Sequence, residues 1–185
     1  SIIGQSRHSV CYALDGVRRN EIEEVVIPKN KFPTGIAQFT LFKESNPVSE
    51  RLIFIDQNDD LKIEMMPDKN EYGDREKIRL AMKVTDETGK PVQGSFSLSV
   101  TDDKVVSPSI DVHNIKGSLL LEADLKGYIE NAGWYFAGDE AERMEALDLL
   151  LSSQGWRRFS WQKIASTQPK PVYPVEKELQ LTGKL

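Results

Sequence analysis

The sequence holds few residues of the kinds that carry chemistry. Its 185 residues include one cysteine and two histidines. A lone cysteine cannot form a disulfide within the chain, and Cys11 lies in a strand-like apolar run, so we expect a buried and unreactive thiol. His8 and His113 lie far apart and show no metal-ligand spacing, so we expect neither to bind a metal. A disulfide framework and a histidine-based metal centre are therefore not predicted.

A strong charge of one sign and long apolar runs are also lacking. The 24 Lys and Arg residues against 29 Asp and Glu residues give a net charge of -5, and the two signs are mixed along the chain. This balance argues against a nucleic-acid partner. No apolar run approaches the roughly 20 residues that span a bilayer. We therefore predict no transmembrane segment. Neither a Gly-x-Ser-x-Gly elbow nor a glycine-rich phosphate loop occurs, so we also predict no enzyme activity and no cofactor. An active site would require a cleft that gathers carboxylates or histidines distant in sequence.

What the sequence does contain is alternation of apolar and polar residues, clearest at 72–103. Apolar residues alternate with polar ones in two runs, Ile78, Leu80, Met82 and Val84 and then Phe96, Leu98 and Val100. Gly89 and Pro91 lie between the runs. The pattern predicts a β-hairpin with an apolar inner face and an outer face carrying Ser95, Ser97 and Ser99.

The first 57 residues predict four strands, at 7–14, 21–27, 35–42 and 50–55. The last is apolar on both faces, so it needs cover on both sides. A polar stretch at 56–60 indicates a boundary. We therefore predict three regions: the C-terminal part of a β-sandwich at 1–57, a second sandwich at 58–166, and a linker with the first strand of a following domain at 167–185. Because the chain begins at Ser1 without a Met or a signal sequence, we expect either a processed protein or a part of a longer one.

Helical features appear after residue 118. A short helix stopped by Gly127 is predicted first, followed by an extended aromatic stretch through Trp134, Tyr135 and Phe136. Asp139 with Glu142 three residues later is typical of a capped helix start. The apolar residues that follow have helical spacing, which predicts an amphipathic helix over 139–153 that ends at Gly155; they are Met144, Leu147, Leu150 and Leu151.

Taken together, these segments resemble the macroglobulin-type domains of the α2-macroglobulin superfamily. The resemblance rests on Tyr72, the strand 77–85, the turn 86–92, the strand end 99–102, and the earlier segments 32–42 and 50–55. With 124–131, Tyr135, Phe136 and 154–158 added, the chain is similar to large multidomain envelope proteins of Bacteroidetes, some of which carry TonB-receptor-plug-like domains. Members that trap proteases carry a thioester in a Gly-Cys-Gly-Glu-Gln setting, whereas Cys11 lies between Val10 and Tyr12.

The resemblance implies a mainly β fold of tandem immunoglobulin-like, macroglobulin-like antiparallel β-sandwiches, with one amphipathic helix in an insertion at 105–164. We expect strand content to be about twice the helix content, against near parity in average domains. The resemblance also implies a periplasmic or outer-membrane-associated location. The implied function is that of a non-catalytic structural or interaction module without a thioester. Its partners would be neighbouring domains of the same polypeptide or another envelope protein.

An aromatic and basic cluster gives an alternative hypothesis. A carbohydrate- or peptide-binding module, with a link to TonB-dependent uptake, would use a surface made of Trp134, Tyr135, Trp156, Arg157, Arg158 and Trp161. Large rings also bury apolar area, so the same residues suit a plug between helix and sheet. The pairs Asp59–Asp60 and Asp102–Asp103 suggest a calcium site only weakly, because adjacent side chains on a strand point to opposite faces.

Overall fold

The structure is a computed structural model that describes residues 1–16, 21–102, 104–106, 114–154 and 161. Its strands are β1 (Ile2–Ser6), β2 (Ser9–Leu14), β3 (Gly35–Lys43), β4 (Asn46–Ile55), β5 (Lys62–Pro67) and β6 (Leu80–Thr85). Its helices are α1 (Ile115–Gly117), which continues as a π-helical turn at Ser118–Glu122, and α2 (Glu140–Ser153). Short 3-10 turns lie at Lys29–Lys31 and Trp134–Phe136. Strands make up 31% and helices 20% of the structure, so the fold is mainly β. The ratio of strand to helix is lower than the predicted two to one.

Strands β1 to β4 form an antiparallel sheet in the order β2-β1-β3-β4. Two-residue turns connect β1 to β2 at Arg7–His8 and β3 to β4 at Glu44–Ser45, and all four residues have positive φ. Such turns match the right-handed twist of the strands they join, although they usually contain Asn or Gly. The Arg7 side chain holds its turn in place by donating a hydrogen bond of 2.7 Å to the carbonyl of Thr34.

The strand predictions for this sheet are wrong in two places. The central strand β1 was not predicted, because Gly4, Gln5 and Ser6 give it no apolar alternation. The predicted strand at 21–27 is not a strand in the structure. Its Ile27 instead packs against the sheet, while Ile22 lies in solvent. Val25 and Ile27 line a groove on the sheet face without forming a strand pair.

The main core lies between one face of this sheet and the helical segment 114–154. Ile36, Leu52 and Phe54 supply the sheet side. The other side consists of buried residues from the helices and their connection, Leu121, Leu125, Ile129, Ala132, Leu147 and Leu151. The core thus draws on both of the predicted regions 1–57 and 58–166. This packing covers one face of β4, as its apolar sequence requires.

The opposite face of the sheet has a smaller core around Phe32. Phe32, Ala37 and Ile55 are buried there, and Phe39 packs against Phe32 with ring centroids 5.2 Å apart. The Phe32 ring lies directly over Gly4, because a Cβ atom at residue 4 would be only 2.8 Å from Phe32 Cζ. Cys11, predicted to be buried, is partly exposed at the margin of this core.

Strands β5 and β6 form a separate two-stranded antiparallel sheet, which we call the ribbon. The predicted hairpin at 72–103 is confirmed in its first strand and at its turn, where Thr85 pairs with Pro91. The ladder partner of β6 is β5, however, and residues 93–102 are not in a strand. The predicted second strand is therefore not formed in the structure.

Helix α2 confirms the prediction for 139–153. Asp139 accepts hydrogen bonds from the backbone amides of Ala141 at 2.9 Å and Glu142 at 3.3 Å, so it satisfies two amides of the first turn. Leu147 and Leu151 are buried, and Met144 and Leu150 pack against the same core. Gly155 lies outside the described residues. The aromatic stretch at 134–136 is a 3-10 turn rather than the predicted extended segment.

Candidate docking surface

All the charged side chains of the two ribbon strands lie on one face of the ribbon. Directly opposed residues in an antiparallel pair share a face. The register therefore places the following residues on one face: Ile63 with Val84, Met65 with Met82, and Pro67 with Leu80. The other face carries the charged residues Lys62, Glu64 and Lys83 together with Thr85, Met66 and Ala81. Lys83 Nζ lies 3.8 Å from Glu64 Oε2.

The apolar face of the ribbon is open to solvent along most of its length. Ile63, Met65, Leu80 and Met82 are between 46% and 57% exposed, whereas Val84, at the end nearest the turn, is buried. Residues of this kind are mostly inside folded proteins. A contiguous group of exposed ones is the usual mark of a contact surface. We call these residues, together with Pro67 and Val84, the apolar ribbon face.

Asp68 and Tyr72 fasten the connection between the two strands. The Tyr72 hydroxyl donates to Asp68 Oδ1 at 2.6 Å, and the backbone amide of Arg79 donates to the same oxygen at 3.2 Å. The hydrogen bond from Tyr72 is the main reason that the pKa of Asp68 lies below its ordinary value. The same bond raises the pKa of Tyr72. These contacts hold the far end of the ribbon in shape.

The turn after β6 is built around Asp86. Its Oδ1 accepts hydrogen bonds from the Thr88 hydroxyl at 2.7 Å and from the backbone amides of Thr88 and Lys90 at 2.9 Å. The Thr88 hydroxyl contributes most to lowering the pKa of Asp86. Gly89, with φ of +84°, occupies the left-handed position that the turn needs. The chain is thereby reversed, and it comes back along the free edge of β6.

Pairing along that free edge begins but does not continue. The backbone amide of Val92 donates to the carbonyl of Val84 at 3.0 Å, and the amide of Asp86 donates to the carbonyl of Lys90 at 2.9 Å. Among the described residues 93–102, the chain forms no further ladder pair with β6. The edge of β6 beyond Val84 is therefore open, which is the condition under which another strand can add.

The predicted aromatic site is divided between two places. Trp134 and Tyr135 lie in the 3-10 turn with ring centroids 5.4 Å apart and nearly perpendicular planes. Trp134 is 45% exposed, whereas Tyr135 packs against the main core. Trp161 lies elsewhere on the sheet, where its ring meets Phe42 edge-on at 5.1 Å. Trp156, Arg157 and Arg158 lie outside the described residues.

Trp161 forms a hydrogen bond with a buried residue of the four-stranded sheet. Its Nε1–H donates a hydrogen bond of 2.9 Å to Oγ1 of Thr40, which is fully buried. Next to Thr40, a row of polar side chains crosses three strands: Gln5 Nε2 donates to Gln38 Oε1 at 3.2 Å, and Gln38 Nε2 donates to Glu50 Oε1 at 3.0 Å. The contacts with Thr40 and Phe42 both place the Trp161 ring against β3.

The other residues considered for chemistry have structural partners. Asp59 accepts a hydrogen bond of 2.5 Å from the Thr34 hydroxyl, and Asp60 forms an ion pair with Lys116. Asp102 accepts from the backbone amide of Lys104, and Asp103 and His113 lie outside the described residues. Within the described part of the chain, no group of three or more His, Cys, Asp or Glu residues is placed to hold a metal ion.

An open apolar groove lies on the outer face of the four-stranded sheet. It has a volume of about 280 Å³ and is lined by Val25, Ile27, Lys29, Phe32, Phe39, Ile53 and Ile55. Its apolar walls carry a single charged side chain, so it offers little with which to orient a polar ligand. The apolar ribbon face, by contrast, consists of six residues, none of which is charged.

None of the helices in the described part of the chain is both long enough and apolar enough to cross a membrane. Comparison of the chain with protein-family models, with curated proteins and with solved structures finds no match.

Proposed function

We propose that this chain is a non-catalytic interaction module of a larger extracytoplasmic protein, and that a neighbouring domain of the same polypeptide docks on the apolar ribbon face. The observation that supports the proposal is an exposed face without charged residues on a sheet only two strands wide. An isolated ribbon of this size is marginal in water, and cover over its apolar face would stabilise it.

The resemblance to macroglobulin-type domains fits this proposal. In a β-sandwich the apolar face of one sheet packs on the apolar face of another, about 10 Å away. The ribbon face would then be one half of such an interface within a tandem of immunoglobulin-like sandwiches. Envelope location, and attachment to other envelope proteins, belong to the same proposal and rest on the resemblance.

Two double variants test whether the apolar face carries the contact. Met65→Lys with Met82→Lys places two charges on the apolar face at directly opposed positions. Met66→Lys with Ala81→Lys, the matched control, places two charges at the next opposed pair, on the other face. The first variant should abolish docking and the second should leave it near wild type, because buried charges without partners are costly.

Docking is measured with a photo-crosslinking side chain at residue 65, and at residue 66 as the control, in the longest polypeptide that contains this chain. Crosslinks from residue 65 to another domain of that polypeptide support the proposal. Crosslinks of equal yield from both positions, or a face that stays accessible to solvent in the intact protein, would overturn it.

Carbohydrate or peptide binding at Trp134 is the second candidate. An exposed indole beside a tyrosine is the type of surface on which sugar rings stack, and Trp134 is 45% exposed. The test is glycan-array binding by the wild type and by Trp134→Ala. Binding that Trp134→Ala removes without unfolding the chain would favour this candidate, and binding by neither protein would exclude it.

A further inference from the structure

The direction of the backbone groups on β6 shows which residues face its open edge. Along a strand, the N–H and C=O of one residue point to the same edge, and successive residues alternate between edges. The carbonyl of Arg79 accepts from the amide of Asp68 on the β5 side, whereas the carbonyl of Val84 accepts from the amide of Val92 on the other side. Leu80 and Met82, which share the parity of Val84, therefore present their N–H and C=O groups to the open edge.

The contacts already formed at this edge define a register. Thr85 opposes Pro91, and the hydrogen bond between Val92 and Val84 follows directly. Continuing that antiparallel register along the edge opposes Gly94 to Met82, Phe96 to Leu80, and Leu98 to Ile78. A single continuous strand from 92 onwards would satisfy the open groups of Leu80 and Met82.

The same register places apolar side chains on the apolar ribbon face and a polar side chain on the opposite face. It places Phe96 and Leu98 on the apolar ribbon face, while Ser95 falls opposite Ala81 on the charged face. A slip of one residue would reverse both outcomes and put the large apolar side chains among the charges. The Phe96 ring already lies on the same side of the chain as Gly94, since a Cβ atom at residue 94 would be 3.3 Å from Phe96 Cζ.

We propose that residues 93–100 bind the open edge of β6 as a third strand in this register. The occupant is this segment rather than a second copy of the chain, because the turn around Asp86 already tethers it beside the edge at a high effective concentration. Phe96 and Leu98, which are 43% and 63% exposed, would join the apolar ribbon face. The inference concerns the edge of the sheet and does not depend on docking at its face.

A pair of engineered cysteines tests the register. The hydrogen bonds on either side of the Thr85–Pro91 pair make it a non-hydrogen-bonded pair, so residues 81 and 95 form another one in the proposed strand. Their Cα atoms would be about 4.5 Å apart, which is within the range for a disulfide. Ala81→Cys with Ser95→Cys, in a Cys11→Ser background, should therefore oxidise readily.

The matched control is Ala81→Cys with Ser97→Cys, which uses the same residue types on the same face. Its cysteines would be diagonal neighbours about 7–8 Å apart, too far for an unstrained disulfide. We expect the 81/95 pair to form an intramolecular disulfide at least tenfold faster than the 81/97 pair. Equal rates, or disulfides mainly between two chains, would overturn the proposal.

Hydrogen exchange of the unmodified protein gives an independent test. The amides of Ala81 and Lys83 point toward β5, and those of Leu80 and Met82 point toward the open edge. Slow exchange at all four amides is expected for a third strand. Slow exchange at Ala81 and Lys83 alone would mean that the edge stays open, and this outcome would contradict the proposal whether or not the ribbon face docks a domain.

Discussion

The indole of Trp161 donates a 2.9 Å hydrogen bond to the hydroxyl of Thr40, a residue 121 positions earlier in the chain. Thr40 is fully buried in the sheet, so its hydroxyl needs a partner within the protein. The bond joins β3 to a part of the chain that follows α2. The stability of the sheet therefore depends on a residue that sequence analysis assigned to a ligand-binding surface.

Replacing Trp161 by Phe should destabilise the chain, because the ring contact with Phe42 can persist while the donor to Thr40 is lost. We expect a loss of about 1–2 kcal/mol in the free energy of unfolding, measured by urea denaturation. Trp134→Phe, at an exposed position, is the control and should change stability by less than about 0.5 kcal/mol. A double-mutant cycle with Thr40→Val should give a coupling of about 1 kcal/mol. A coupling near zero would mean that the bond does not form in solution.

Gly4→Ala should destabilise the four-stranded sheet. The new methyl group would lie 2.8 Å from Phe32 and 2.9 Å from Phe39, so the two packed rings would have to move. Overpacking of this kind costs about 1–3 kcal/mol, which thermal unfolding would detect. Gly16→Ala is the matched control, because a Cβ atom there has no atom within 4 Å. Equal stability of the two variants would show that Phe32 does not pack over Gly4.

Gly117→Ala tests how closely α1 approaches the segment before the 3-10 turn. Alanine usually stabilises a helical position relative to glycine, by about 0.5–1 kcal/mol. Here the added Cβ atom would lie 2.9 Å from the backbone carbon of Ala132, so we expect the opposite sign. Ala132→Gly should fail to rescue the variant, since the clash involves the backbone. Stabilisation by Gly117→Ala would contradict the close approach.

The hydrogen bond between Tyr72 and Asp68 predicts a specific pH dependence. The pKa of Asp68 is lowered in the folded chain, mainly by the Tyr72 hydroxyl. Its contribution to stability is therefore present above the unfolded pKa of about 3.9 and is lost as the pH falls through the folded pKa. Tyr72→Phe should raise the pKa of Asp68 toward its ordinary value, as followed by NMR titration of its carboxyl group.

Asp86 provides the internal control for that titration. Its pKa is lowered mainly by the Thr88 hydroxyl, at the other end of the ribbon, so Tyr72→Phe should leave it unchanged. A shift at both residues would indicate that the substitution disrupts the whole ribbon. No change at Asp68 would show that Tyr72 is not its hydrogen-bond donor in solution.

Sequence reasoning succeeded where the determinants are local. Helix α2 was predicted because Asp139 and the spacing of Leu147 and Leu151 lie within four turns of chain. It failed for β1, whose only strong packing signal is the absence of a side chain at Gly4 beneath Phe32. The turns at Arg7–His8 and Glu44–Ser45 carry none of the usual Asn or Gly residues, so pattern alone does not reveal them.

For the candidate surfaces, too, the features set by local sequence were predicted and those set by tertiary contacts were not. The alternation at 80–84 predicted an apolar strand face, and the ribbon has one. The ladder with β5 was not predicted, because β5 and the segment at 95–101 both carry alternation that suits pairing with β6. The aromatic residues were grouped by their proximity along the chain. Trp134 and Trp161 are held apart by partners, Tyr135 and Thr40, that no local pattern identifies.

The two sides of the main core are synthesised at different times, because they lie far apart in the sequence. Arg51 of β4 contacts Asp148 of α2 across 97 residues of chain, and the ribbon lies between them in sequence. At a synthesis rate of about 5–20 residues per second, α2 follows β4 by roughly 5–20 s. Through that interval Ile36, Leu52 and Phe54 have no helical segment to cover them. The nascent sheet therefore exposes this apolar face until α2 has been synthesised.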